Sequence, residues 1–290
     1  MHKGPLPRWV AVALLMAIAV TFGANHVAAR VAFDHGTSVL SAVATRSVVA
    51  TLLVLALMRW QRVPLALDAP LRLRAAAIGL LIATQSYCLY SSVALIPVAL
   101  ALLVFNLYPL LFTLLTAWSG GERIGVRPAI AMPLALVGLA LVLDVFGQPV
   151  NPEGIAWALA ASLTFALVLF LNNRWLKEVD GRVRTLYTMI VVGALMFAAG
   201  AAAGGFSLPA DPTGWLGLAL LSVLYASALI ALFLVLPRIG AASNSVALNV
   251  EPIAVMLMAW VALGQAMNAT QVLGAFVVVG AVTYLATGKH

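Results

Sequence analysis

Residues 98–122 read VALALLVFNLYPLLFTLLTAWSGGE, and residues 241–265 read AASNSVALNVEPIAVMLMAWVALGQ. Set one above the other, Asn106 falls on Asn249, Pro109 on Pro252 and Gly121-Glu122 on Gly264-Gln265. The offset is 143 residues, and it also brings Thr21-Phe22 onto Thr164-Phe165. Chance pairing of Ala, Leu and Val means little in so apolar a chain. Asn-x-x-Pro followed twelve residues later by Gly-Glu or Gly-Gln, twice at one offset, signals a duplicated unit. The register runs without a gap through four of the five apolar segments in each half. The expected repeats are residues 1–147 and 148–290.

Composition says what surrounds these segments. Of 290 residues, 64% are hydrophobic and 9% charged, and the mean hydropathy is +1.08. Soluble domains carry about 25% charged residues, so the solvent here is lipid. At about 20 apolar residues per span, the length holds about ten helices and leaves no room for a soluble domain. The net charge of +7 is scattered singly between apolar runs, which argues against nucleic acid. The lone Cys88 excludes an internal disulfide and speaks against a cysteine metal site.

The expected spans are Trp9–Ala32, Ser38–Met58, Leu73–Ala94, Val98–Ala117 and Val126–Val145, then Gly154–Leu171, Thr185–Gly204, Thr213–Leu236, Ser243–Leu263 and Thr270–Ala286. The first follows Lys3 and Arg8 as a signal peptide would, but its counterpart within the second repeat favours a retained helix. With ten spans, fourteen of the sixteen Lys and Arg residues fall on the side of the termini, leaving Arg30 opposite and Arg46 inside the second span. Asp34, Asp144, Glu153 and Asp211 occupy the other side. The positive-inside rule then places both termini in the cytoplasm. Five spans per repeat force the second unit to cross in the opposite sense. The expected fold is an all-α integral membrane protein of ten transmembrane helices in two inverted five-helix repeats. Such repeats underlie many alternating-access transporters.

Asn106-Leu-Tyr-Pro109 leading to Trp118-Ser-Gly-Gly-Glu122, and Asn249-Val-Glu-Pro252 leading to Trp260-Val-Ala-Leu-Gly-Gln265, resemble the drug/metabolite transporter superfamily, EamA type. The resemblance covers nearly the whole chain. It implies export of small metabolites, and the members most similar in character are bacterial amino-acid exporters, including exporters of aromatic amino acids. The implied location is a bacterial-type inner membrane. The family usually carries Glu after the motif glycine in both halves, whereas this chain has Gln265 in the second.

Polar groups at membrane depth are candidate functional residues by default. Glu251, about eight residues into its span, is suited to bind an ammonium group or take up a proton, or to hydrogen bond to carbonyls freed at Pro252. Pro109 and Pro252 each remove an amide donor and are candidate hinges; Asn106 and Asn249 are placed to satisfy the loosened backbone. Arg46 reads either as a counter-ion for a substrate carboxylate or, the preferred reading, as a side chain snorkelling outward or held in an ion pair. Asn25, His26 and Arg30 form a cavity mouth or an interfacial cap. Gln85, Tyr87, Tyr90, Tyr225 and Ser227 are candidate pathway residues, with Tyr108 and Trp157; Trp9, Trp60, Trp118 and Trp175 read as interfacial anchors. Gly79, Gly138, Gly193 and Gly274 are expected at close helix contacts.

Four histidines, His2, His26, His35 and His290, do not converge with acids or a nucleophile, so no catalytic or metal centre is expected and no cofactor. No GxxxxGK[ST] loop exists to bind ATP. The expected partners are a small-molecule substrate and the bilayer, with the proton as a candidate coupling ion. Drug or cation efflux through Glu251 is the competing transport reading; a non-transporting scaffold or a lipid-modifying enzyme are the remaining classes.

Overall fold

The computed structural model describes residues 8–120, 125–142, 150–235 and 250–286. Among them the chain forms eleven helices and no strand. The first six are α1 (Arg8–Asp34), α2 (Val39–Trp60), α3 (Ala69–Leu95), α4 (Val98–Phe105), α5 (Tyr108–Trp118) and α6 (Val126–Val142). They are followed by α7 (Pro152–Trp175), α8 (Gly181–Ala202), α9 (Pro212–Val235), α10 (Glu251–Leu263) and α11 (Ala269–Ala286). A helix satisfies its own backbone, which lipid cannot do.

Among the described residues, seven stretches are long and apolar enough to cross a bilayer: α1 from Trp9, α2, α3, Val98–Trp118 (α4 with α5), α7, α8 and α9. Helices α6, α10 and α11 are apolar but shorter, and residues close to each lie outside the described set. Seven segments thus meet the length expected of ten. Leu52, Leu80, Leu136, Leu163, Leu216 and Phe276 are exposed. That outer surface suits lipid contact, and in water it would be an aggregating one.

The repeat is visible in the helix boundaries. Helices α3 and α9, α5 and α10, and α6 and α11 begin 143 residues apart, and the pairs α1/α7 and α2/α8 keep that offset to within one residue. The register therefore extends through all five segments, one more than the sequence alone displays. Packing respects the same exchange. Helix α1 lies along α9 as α3 lies along α7; α3 packs on α8 as α2 packs on α9; α10 touches α1 as α5 touches α7. Helix α2 meets its own counterpart α8, and α6 meets α11. The extensive contacts run between the halves, so each half buries its apolar surface mainly against the other.

Proline interrupts the expected fourth span. Pro109 has no N–H, and its ring excludes the carbonyl of residue 105 from regular α geometry. The chain answers with shorter-range bonds at Leu107 and Leu110: Leu107 N–H donates to Val104 O (3.2 Å) and Leu110 N–H to Leu107 O (3.0 Å). The Asn106 side chain donates from Nδ2 to Leu102 O at 2.7 Å. The result is a broken helix, α4 then α5. Asn249, its expected counterpart, lies outside the described residues, as does Glu122.

The two ends of the bundle are latched across the halves. At one, Arg182 donates to Gln61 and to Asp180, and Tyr187 OH donates to Leu65 O. Hydrogen bonding to Arg182 holds the Asp180 carboxyl below its ordinary range. At the other, Ser38 N–H donates to Ser207 O and Ala210 N–H to His35 O, while His35 Nδ1 lies 2.5 Å from Asp211 Oδ2. The Gly214 N–H, then His35, hold the Asp211 carboxyl below its ordinary range.

Helices α6 and α11 approach through glycine. A Cβ on Gly274 would fall 2.6 Å from Gly138 O and Val142 N, and one on Gly138 2.8 Å from Val278 N. Gly79 is equally tight against Val191. Gly193 differs from expectation: its nearest neighbour, Ser47 Cβ, would be at 3.8 Å, an ordinary contact with room for a methyl. Gly274→Val is expected to destabilise the detergent-solubilised protein by about 1–3 kcal/mol, the usual range for overpacking. Gly193→Ala is expected to leave the thermal unfolding midpoint unchanged. Equal midpoints for the two variants would contradict this account of the α6–α11 contact.

Candidate functional site

Helix α2 carries one charge between its ends, Arg46. An arginine in lipid snorkels if it can, but Arg46 is only 3% exposed, and none of the ion pairs among the described residues includes it. Neither part of the preferred expectation, snorkelling or a structural ion pair, describes it. Instead α2 packs against α3 and α9, which turns the side chain inward. Its Nη1 donates to Tyr90 OH and its Nη2 to Ser86 Oγ, both at 2.9 Å. The guanidinium carbon lies 4.0 Å from the Tyr225 ring centroid and 4.9 Å from that of Tyr90, an arrangement favoured by the negative faces of the rings.

The hydrogen bonds continue in both directions. Tyr90 OH donates to Asn25 Oδ1 at 2.6 Å, Asn25 Nδ2 donates to Phe22 O, and Ser86 Oγ donates to Gln85 Oε1 at 3.4 Å. His26 tilts over Tyr90 with ring centroids 5.6 Å apart, and its Nε2 lies 3.6 Å from Glu251 Oε1. Glu251 is the first residue of α10. A chain of contacts therefore runs Arg46–Tyr90–His26–Glu251. Its members come from α1, α2 and α3 of one half and from α10 of the other, with the Tyr225 ring of α9 laid over Arg46.

Tyr108 begins α5 as Glu251 begins α10, and it belongs to a second, aromatic wing. Tyr108, Phe105 and Phe165 stand 4.8–5.4 Å apart, centroid to centroid. Offset and edge-to-face contacts of this kind favour aromatic and apolar groups. Tyr87 and Trp157 form a separate edge-to-face pair across α3 and α7 at 5.7 Å, and Trp157 Nε1 donates to Glu153.

Of the residues expected from sequence, Asn25, His26, Gln85, Tyr90, Tyr225 and Glu251 thus meet in one polar cluster, Tyr108 joins the aromatic wing, and Tyr87 and Trp157 stand apart. Asn106 and Pro109 shape the α4–α5 break, and Pro252 is buried behind Glu251. Arg30 leaves the cluster: it pairs with Asp34 and donates to Val93 O at the end of α3. Ser227 is exposed, because two residues along a helix from Tyr225 points it away. Trp9, Trp60 and Trp118 are largely exposed at helix ends. Sequence reasoning missed Ser86, Phe105 and Phe165; only the pairing of Phe165 with Phe22 at the 143-residue offset hinted at them.

Gln265 supplies a further link. Its Oε1 accepts the Val98 N–H at 3.0 Å, so the end of α10 caps the start of α4, whose N-cap residue is Pro97 and has no side-chain bond to offer. A carboxamide oxygen accepts an amide hydrogen as a carboxylate does, which accounts for Gln at this position.

A polar seam enclosed by two like halves of long apolar helices marks the class as a multi-pass membrane protein. The chain belongs to the EamA-like transporter family, whose profile matches twice, over residues 9–144 and 152–287. A solved crystal structure shares the fold, with a TM-score of 0.67 and 19% sequence identity over 96% of this chain and 97% of that one. No curated protein matches the sequence.

Gln265→Ala is expected to lower unfolding stability in detergent by about 1 kcal/mol, the usual effect of losing a helix cap. Gln265→Glu is expected to retain it. A larger loss for Glu than for Ala would contradict the capping role.

Proposed function

We propose that the protein is a secondary transporter exporting small metabolites, foremost amino acids and aromatic ones among them, by alternating access at the seam. The carrying observation is an internal control. Moved by the 143-residue offset, Asn25, His26, Arg46, Ser86, Tyr90 and Glu251 become Val168, Leu169, Met189, Leu229, Phe233 and Tyr108. The mirror positions are apolar or aromatic, so the scaffold has no need of the polar set. Buried charge that the fold does not require points to a ligand.

In this reading the ten apolar segments all span, the halves divide at about residue 147, and the repeats are inverted with both termini cytoplasmic in a bacterial-type inner membrane. The Arg-bearing and acid-bearing ends of the bundle support that orientation. Pro109 and Pro252 are the hinges about which α5 and α10 tilt. A solute with charged and aromatic ends matches the polar cluster and the aromatic wing. The Glu251–His26 pair offers a seat for a coupling proton. Cation efflux is the second reading, favoured by the Glu251 carboxylate beside aromatic rings.

Purified protein in liposomes is expected to exchange labelled phenylalanine in counterflow, and Glu251→Gln to slow it at least tenfold. Absence of exchange with phenylalanine and a broad amino-acid panel, using folded protein, would overturn the amino-acid assignment. Transport of lipophilic cations lost in Glu251→Gln, with no amino-acid exchange in the wild type, would establish the second reading instead.

A further inference from the structure

Arg46 poses a question of charge that the fold leaves unanswered. Its guanidinium offers five N–H donors, yet among the described residues it makes hydrogen bonds only to two neutral hydroxyls, those of Tyr90 and Ser86. Its Nε is buried without a partner. The one carboxylate among the described residues of the seam, Glu251, faces His26, and Arg46 has no counter-ion among the described residues. A buried cation without an anion is strongly unfavourable, and cation–π contact with two tyrosines offsets only part of that. Nor does packing explain it. The equivalent place on α8 holds Met189, which is buried and lies with its Sδ 3.9 Å from the same Tyr225 hydroxyl.

We propose that Arg46, seated between Tyr90 and Tyr225, is the anion subsite of the seam and binds the carboxylate of the transported solute. The fork of a guanidinium matches a carboxylate in two parallel hydrogen bonds, and Nε is the donor left free for one of them. Tyr90 and Ser86 hold the group through Nη1 and Nη2, and the Tyr225 ring covers one face. The Glu251–His26 pair, reached through Tyr90, then faces the solute's ammonium group, and the aromatic wing takes the side chain. The subsite also sets a selection rule: an amine lacking a carboxylate meets an uncompensated positive charge and is rejected. This assignment rests on the transport reading and narrows it to carboxylate-bearing solutes.

The test compares four congeners on the wild-type protein in liposomes: phenylalanine, its carboxamide, phenethylamine and 3-phenylpropionate. Each competes against counterflow of labelled phenylalanine, and each is also assayed for thermal stabilisation of the detergent-solubilised protein. Phenylalanine is expected to compete at least tenfold more strongly than its carboxamide and phenethylamine. Competition by 3-phenylpropionate as strong as by phenylalanine would identify the solutes as simple carboxylates, and weaker competition as zwitterions; both keep the subsite. Arg46→Met, which repeats at position 46 the side chain the second half carries at position 189, is expected to fold and to lose carboxylate-dependent stabilisation. Arg46→Lys, which keeps charge but not the fork, is expected to fall between. Equal competition by acid and amide, or carboxylate-dependent stabilisation undiminished in Arg46→Met, would overturn the subsite while leaving transport standing. No counterflow of any amino acid and no stabilisation by either carboxylate would overturn both.

Discussion

Water is missing from the middle of a bilayer, so a polar group placed there is satisfied by protein or not at all. In this chain the satisfaction is shared between the halves. Arg46 lies on α2 and hydrogen bonds to α3, but the Tyr225 ring over it belongs to α9; His26 on α1 faces Glu251 on α10. Gln265 at the end of α10 caps α4 in the same manner. These cross-half contacts make the seam a shared surface. They also explain why a displacement of one half against the other would remake the site rather than merely uncover it.

Duplication gives the molecule a built-in comparison. The scaffold is close to symmetric: matched helices begin 143 residues apart to within one residue, and the extensive cross-half contacts have their exchange partners. The chemistry is not. One side of the seam carries Asn25, His26, Arg46 and Tyr90; the mirror side carries Val168, Leu169, Met189 and Phe233. Symmetric packing is the arrangement that alternating access between two halves would require. Asymmetric chemistry gives the seam a polar end and an aromatic end, suited to a solute that has both.

Much of this is legible in the chain. Lipid as solvent follows from charge content, and the repeat follows from Asn-x-x-Pro and its downstream glycine. Glu251, His26, Tyr90 and Tyr225 stand out because polar residues at membrane depth are rare. What the sequence hides is rotation about each helix axis. Helix α2 spreads its polar residues Ser41, Thr45, Arg46, Ser47 and Thr51 around the whole axis, so no stripe announces which face is buried, and Arg46 reads as snorkelling although it points inward. The same blindness puts Ser227 beside Tyr225, although a helix turns it outward. Ser86 and Phe165 are unreadable for a different reason: neither is unusual until its neighbours in space are known. Gln265 looks like a lapse from a carboxylate pattern, and becomes intelligible only once the Val98 N–H is seen as its partner.

In the transport cycle proposed above, one site lies at the seam and opens to each side of the membrane in turn. Position 108, the exchange partner of Glu251, tests it directly. A single cysteine there, in a Cys88→Ser background, can be challenged with a membrane-impermeant thiol reagent from either side of oriented vesicles. A site that alternates is expected to react from both sides, with bound phenylalanine slowing both. Reaction from one side alone under every condition, with or without the amino acid, would contradict it.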